Sequence, residues 1–259
     1  MHKKILVLLS SADKIPLREG RYHSTGIFLG ELVEPLAPLL AAGYEIHFTS
    51  LGGKAANIDA NSYRLMYWSF SKKKLEDGIK TYNQLIALGL NDPIPLDSLL
   101  KDSNLLAPYD LLFVPGGHAP MTDLLHEDWL SSDIKNPRVG ALLAYFKEND
   151  KLTALICHAP AILACATTEA GKPLYEGYEA TCVTRLSEFM TEDLPPFKAV
   201  HGHLKKYPED FLREAGILLK QVSLPMISNV VTDRNLITGQ DPYSAKRLGK
   251  ELHQRLSQL

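Results

Sequence analysis

The sequence predicts an α/β fold with a mainly parallel sheet covered by helices on both faces. Short apolar runs of β type recur along the chain, helical patterns lie between them, and Gly, Pro or Asn punctuates most junctions. With 259 residues and 45% hydrophobic content the chain can bury a sizeable core in one α/β unit. The expectation is a single domain over residues 1–259 with a small insertion at about 61–100.

Lys4–Leu9 (KILVLL) reads as a first buried strand. Its apolar run stops after about eight residues at Ser10-Ser11-Ala12-Asp13, without a cleavage site, so it is not read as a leader. From Thr25, TGIFLGELVEPLAPLLAAG places Ile27, Leu32, Leu36, Leu39 and Leu40 near one face of a helix. Gly43 suits the left-handed position that closes it, and Pro35 and Pro38 should break or kink it. Tyr44–Thr49 (YEIHFT) is the next strand. Asn61–Leu100 departs from the alternation, with YRLMYWSF, the lysine run Lys72–Lys74 and the turn-like NDPIP. It is expected to be helical or irregular, with the lysines on a solvated face. Its aromatics Tyr63, Tyr67, Trp68 and Phe70 either pack internally or cover a pocket or a subunit contact.

Asp110–Val114 and Leu152–Ile156 are further strands, as are Ala180–Val183 and Val230–Thr238. Asn136-Pro137 and Asp241-Pro242 each pair an N-cap with proline at the first helical position, opening RVGALLAYFKEN and YSAKRLGKELHQRL. Tyr207-Pro208 opens PEDFLREA, closed by Gly216. No internal repeat is evident.

Composition excludes several classes of function. The 28 basic and 30 acidic residues leave a formal charge of −2, which provides no electrostatic attraction for nucleic acid or an anionic membrane. No run reaches the ~20 apolar residues that span a bilayer. The three cysteines Cys157, Cys165 and Cys182 are odd in number and lack C-x-x-C spacing, which argues against disulfides or thiolate zinc and for a reducing, cytoplasmic setting. A small, near-neutral partner fits better.

In an open parallel sheet ligands collect at the carboxyl ends of the strands. After Asp110–Val114 comes Pro115-Gly116-Gly117-His118, where two glycines permit close backbone approach and amides aimed at an oxyanion, or simply a tight turn. After Leu152–Ile156 comes Cys157-His158, followed by an alanine-rich helical stretch whose N-terminal dipole would favour thiolate. The geometry is that of a strand–nucleophile–helix elbow, without the G-x-S/C-x-G signature. A buried thiol of the core is the competing reading. Glu31 stands in an apolar helical stretch, where burial would raise its pKa or demand a partner such as the thiol. Glu34 is the rival carboxylate. Nine histidines prompt a check for metal, but His201-Gly202-His203 without a marked third ligand reads as a solvated loop. Cys165 and Cys182 read as packing residues.

Taken in order, STGIFLGELVEPLAPLLAAGYEIHFTS, LLFVPGGHAPMTDL, ALICHAPAILA and NVVTDRNLITGQDPYSAKRLGKEL resemble the ThiJ/PfpI branch of the class I glutamine amidotransferase-like superfamily, and within it the heat-shock chaperone and glyoxalase III group. The resemblance covers nearly the whole chain, most poorly at Asn61–Leu100. It implies a flavodoxin-like three-layer sandwich, usually a homodimer, with Cys157 as nucleophile, His158 beside it and Glu31 hydrogen-bonded to the thiol. Main-chain amides at Gly117 and His158 would form the oxyanion site, with Gly116 in the same turn. The acidic partner is expected in EATCVTRLSEFMTED, where Glu188 aligns best and Glu192 and Asp193 are alternatives. The implied chemistry needs no cofactor, metal or glutathione: the thiolate adds to methylglyoxal or glyoxal, a base moves a proton between the two carbons, and water releases D-lactate or glycolate.

Three enzyme rivals and one non-enzyme rival follow. The glutaminases of this superfamily pair their cysteine with a later His-x-Glu, and the chain contains no His-x-Glu. A peptidase or deglycase would use the same triad. A holdase chaperone would bind unfolded proteins on exposed apolar surface and use the cysteine, if at all, as a redox sensor.

Overall fold

A computed structural model describes residues 3–128, 134–195, 197–224 and 226–259. The strands are β1 (Lys4–Leu9), β2 (Lys14–Pro16), β3 (Tyr22–Ser24), β4 (Glu45–Ser50), β5 (Ile94–Pro95), β6 (Leu111–Val114), β7 (Leu152–Ile156), β8 (Glu179–Ala180), β9 (Leu218–Leu219), β10 (Val230–Asp233) and β11 (Leu236–Gly239). The α-helices are α1 (Leu29–Ala41), α2 (Lys72–Ala87), α3 (Leu96–Leu100), α4 (Pro137–Glu148), α5 (Arg185–Asp193), α6 (Pro208–Glu214) and α7 (Ala245–Ser257). The main sheet runs in the order β10-β11-β7-β6-β1-β4-β5 and is parallel throughout except for β10. Strand pairs β2–β3 and β8–β9 stand apart from it.

Period-two alternation assigns the two faces of the sheet. Ile5, Val7 and Leu9 of β1, with Phe113 and Ile156, pack against α1 and α7. Leu6 and Leu8, with Leu112 and Leu155, pack against Val139, Leu142, Leu143 and Phe146 of α4 and Phe211 and Leu212 of α6. Strands buried on both faces explain the unbroken apolar runs, and the result is the three-layer α/β sandwich. Among the described residues no helix is long and apolar enough to cross a membrane.

The anticipated caps form. Asn136 accepts from the amides of Arg138 and Val139, Asp241 accepts from Ser244 N, and Gly43 and Gly216 take φ +76° and +70° after α1 and α6. Several expectations need correction. Pro35 and Pro38 lie inside a continuous α1. α7 presses against the first of them so closely that a Cβ on Gly249 would lie 2.8 Å from Pro35 Cα, and this packing holds the helix where two carbonyls lose amide partners. The same helix begins at Leu29, not Thr25, because Ile27 is extended and bridges Ile58.

Val230–Thr238 is a hairpin, not one strand, turned at Arg234 with φ +54°. Asp233 secures that turn by accepting from Arg234 and from the Glu179 amide. Of Ala180–Val183 only Ala180 pairs as a strand, at the end of β8. Beyond it the chain bonds across the sheet's end, through Thr181 N to Thr238 Oγ1 and Val183 N to Cys157 O. The alanine-rich stretch Ala159–Cys165 is a 3₁₀ helix.

Residues 61–100 hold two 3₁₀ turns and α2, then rejoin the sheet as its edge strand β5, so the last part belongs to the scaffold. Lys72–Lys74 are exposed. Trp68 is buried, donates from Nε1 to Ser62 O at 2.8 Å, and fills the space a side chain at Gly78 would need. Tyr63 and Phe70 are exposed, Phe70 at 74%.

Candidate active site

β7 delivers Cys157 to the carboxyl edge of the sheet, and the backbone there turns through φ +64°, the left-handed region that non-glycine residues avoid. Two bonds hold the strained residue, from Cys157 N to Gly239 O at 2.9 Å and from Val183 N to Cys157 O at 3.0 Å. A sharp turn of this kind lifts the side chain off the sheet.

Sγ lies 3.2 Å from His158 Nδ1, and on the far side of the ring Glu188 Oε1 lies 2.7 Å from Nε2. Glu188 is buried in the first turn of α5, whose N-cap Thr184 accepts from Ser187 N. Burial pushes the Glu188 carboxyl up, but His158 charge and the contacts with His118 and His158 outweigh it and hold the group well below the usual range. His158 is held down by burial and by His118, against the pull of Glu188. Of the rival acids, Glu192 accepts from Leu204 N and Tyr207 Oη, and Asp193 pairs with His203.

Glu31 approaches from α1. It is buried, whereas Glu34 is half-buried toward Lys246 and Lys74. Burial raises the Glu31 pKa well above the carboxylate range; the Cys157 thiol and the Gly117 amide, which face it, pull the other way. Neither carboxyl oxygen makes a hydrogen bond of full geometry among the described residues. Burial also pushes the Cys157 thiol well up, and Glu31 charge adds to this. The turn that follows is a short 3₁₀ helix rather than an extended α-helix, and burial with nearby carboxylates works against the charge that a helix dipole would favour. Two neighbouring acids that each resist charge favour a protonated Glu31 beside a neutral thiol, and a protonated carboxyl can donate to sulfur once the thiol ionises.

The glycine pair makes this approach possible. A Cβ on Gly116 would lie 2.2 Å from Glu31 Oε2 and 2.7 Å from Cys157 Cβ, so only glycine fits between acid and thiol. Gly117 takes φ +96°, and a Cβ there would meet Gly26 O at 2.3 Å. Gly117 lines the cavity, whereas Gly116 lies behind it.

Above the thiol opens a cavity of about 850 Å³ including its mouth. Phe28, Tyr67, Val183, Phe197 and Val200 make its walls apolar, and Met66 and Tyr67 come from the 61–100 segment, which therefore roofs the site. Burial raises the Tyr67 phenol to about 12. Cys165 and Cys182 are buried in the core away from the cavity.

Polar lining residues that the sequence does not mark as part of the site include His118, Asp59 and Asp241. His118 follows the glycine pair directly; its ring centroid is 4.1 Å from that of His158, and its Nε2 is 3.6 Å from Glu188 Oε2. Asp59 offered no sequence signal. Asp241 was legible only as a helix cap.

Burial raises the Asp241 pKa from 3.8 to about 6. A carboxyl whose pKa rises on folding supports the fold below its unfolded value and loses that support as pH rises through the folded one. Asp241→Asn keeps a good cap. It should therefore stabilise the protein by about 1–2 kcal/mol at pH 8 and change little at pH 3.5, as checked by urea unfolding at the two pH values.

His118, His158 and Glu188 are near enough to share a metal ion, as are Glu192, Asp193 and His203. The two rings of His201-Gly202-His203 part company: His203 lies against Glu19 at 2.6 Å and Asp193 at 3.2 Å, while the His201 ring faces His23.

An elbow cysteine with an imidazole and two carboxylates, set at the carboxyl edge of an α/β sandwich, defines a class of cysteine-centred α/β proteins. The chain belongs to the ThiJ/PfpI family, whose sequence profile matches residues 23–206. It is 30% identical over 252 residues to the protein/nucleic acid deglycase HchA of Staphylococcus aureus, covering 95% of this chain and 77% of the relative. In fold it is similar to glyoxalase III from Candida albicans, with TM-score 0.73, 20% identity, and 97% and 96% of the two chains covered. The Rapid Encystment Protein of Francisella tularensis gives TM-score 0.71 at 23% identity, with 97% and 98% covered. At these identities the two structures support the fold alone.

Proposed function

We propose that this protein removes α-oxoaldehydes such as methylglyoxal from thiol and amine adducts on other molecules, and converts the free aldehyde by the same chemistry. The observation that carries the proposal is Cys157 held between a buried carboxyl, Glu31, and the His158–Glu188 pair, beneath an apolar cavity. The 30% identity to the Staphylococcus aureus deglycase supports deglycation as the physiological form.

The thiol proton passes to His158 as sulfur bonds the aldehyde carbon, and the carbonyl oxygen takes the Glu31 proton, giving a hemithioacetal. Amides at Gly117 and His158 flank the developing oxyanion. The Glu31 carboxylate then takes the hydrogen from that carbon as a proton and returns one to the neighbouring carbon, while the hydroxyl proton of the first carbon passes to the oxygen of the second, leaving a 2-hydroxy thioester. Water cleaves the thioester, restoring the thiol and releasing the hydroxy acid, so aldehyde plus water gives the carboxylate and one proton. Two proton-moving groups on opposite sides of one sulfur suit this rearrangement better than peptide cleavage, which also needs room for an extended chain.

Methylglyoxal-treated N-acetylcysteine, incubated with the protein without glutathione, should lose its adduct faster than by spontaneous dissociation and yield D-lactate. Release no faster than the spontaneous rate would leave only the free aldehyde as substrate, and absence of lactate would reject the proposal. A holdase activity has its own support in exposed Leu186, Phe189 and Leu224. Cys157→Ala should leave any such activity intact.

A further inference from the structure

We propose that His118, His23 and His201 form a proton exit from the buried His158–Glu188 pair to solvent. The proposal rests on the reading that aldehyde and water become a hydroxy-acid anion, because that reaction liberates one proton per turnover inside an apolar cavity. A proton generated there needs a path of polar groups, since charge left in a buried site opposes the next cycle.

Four imidazoles provide that path in a row. Ring centroids are 4.1 Å apart from His158 to His118, 6.4 Å from His118 to His23 and 6.0 Å from His23 to His201. They come from four separate segments: the elbow, the glycine turn, β3 and the loop before α6. At the inner end one carboxylate touches the first two rings, with Glu188 at 2.7 Å from His158 and 3.6 Å from His118. At the outer end His201 is exposed, while His23 is only 8% exposed. His203 is taken up by Glu19 and Asp193, which leaves His201 as the terminus.

The middle of the row carries a second, independent mark. Nε2 of His118 and Nε2 of His23 are buried without a hydrogen bond of full geometry among the described residues. Buried imidazole nitrogens are costly to leave unpaired, and ring spacings near 6 Å leave room for a bridging water or a small ring rotation to complete each link.

The local charges make His118 the resting place of the proton and His23 the step it must cross. Burial, then His118 and His201, make His23 hard to protonate, while Asp59 partly offsets this. Burial opposes charge on His118 too, but Glu188 more than compensates. A proton arriving on His158 therefore moves by way of Glu188 to His118, crosses His23 and leaves from His201. The His158 N–H breaks as a Glu188 carboxyl O–H forms, that O–H breaks as the His118 N–H forms, and each later hop breaks one N–H bond and makes the next, leaving a neutral ring behind.

The test compares wild type, His23→Phe and the exposed His201→Ala under saturating methylglyoxal in dilute buffer. Both variants should lose about tenfold in kcat, less than the hundredfold or more of direct proton transfer, with KM unchanged and a larger solvent isotope effect. Added imidazole should restore kcat, which it cannot do for a packing defect. Wild-type kcat in both variants, or a loss that imidazole leaves untouched, would overturn the exit. Absence of turnover in the wild type is a different result, removing the functional reading and the exit with it.

Discussion

Cys157→Ala should reduce kcat/KM for methylglyoxal and for its thiol adducts by more than about 10³-fold, because no other group in the cavity can form the carbon–sulfur bond. Cys165 cannot substitute, since its sulfur is directed at the carbonyl oxygens of Leu124 and Leu125. Cys182 lies in the opposite core cluster, under α6. The fold should tolerate the change. Alanine fits a fully enclosed site once the sulfur is gone, and the backbone bonds to Gly239 and Val183 that hold the left-handed turn are unaffected. Unfolding free energy should shift by no more than about 1 kcal/mol, measured by urea denaturation beside steady-state kinetics.

Glu31→Gln should cost about 10²–10³-fold in kcat with little change in KM. The amide keeps the volume and can donate to sulfur, but it cannot accept the carbon-bound proton. The same variant carries a pH signature. Complete burial raises the Glu31 pKa well above its ordinary value of 4.5. Its support for the fold is therefore fully present below about 4.5 and is lost as pH rises through the folded value. Wild type should weaken over that alkaline side, and Glu31→Gln should show a flatter profile. Thermal melts from pH 4 to pH 9 check the slope, and parallel profiles would show that Glu31 is ionised in the folded protein.

Much of this arrangement was legible because it is local. A strand followed by Cys157-His158, a glycine pair after another strand and a lone acid in an apolar helix are all contiguous signals, and they converge in the fold. Glu188 could be singled out only by resemblance among three nearby acids. Geometry separates them, since one helical turn carries Glu192 to Leu204 and Tyr207 instead of His158.

What was missed depends on tertiary context. The Val230–Thr238 run turns over because Asp233 stabilises a left-handed Arg234, which β propensity does not report. α1 survives two prolines because α7 packs on it through Gly249. The setting of the thiol is equally non-local, because the burial and the carboxylates that push its pKa up come from other segments than the turn beside it. His23 and Asp59 reach the site region from segments whose sequence carries no motif at all.

The central claim is that Cys157 captures an α-oxoaldehyde and that a neighbouring base moves the proton between its carbons. Proton NMR of methylglyoxal turned over in D₂O tests it most directly. Wild type should give lactate carrying deuterium at C2, and Cys157→Ala should give none. Equal lactate from both proteins, or no lactate from wild type, would contradict it.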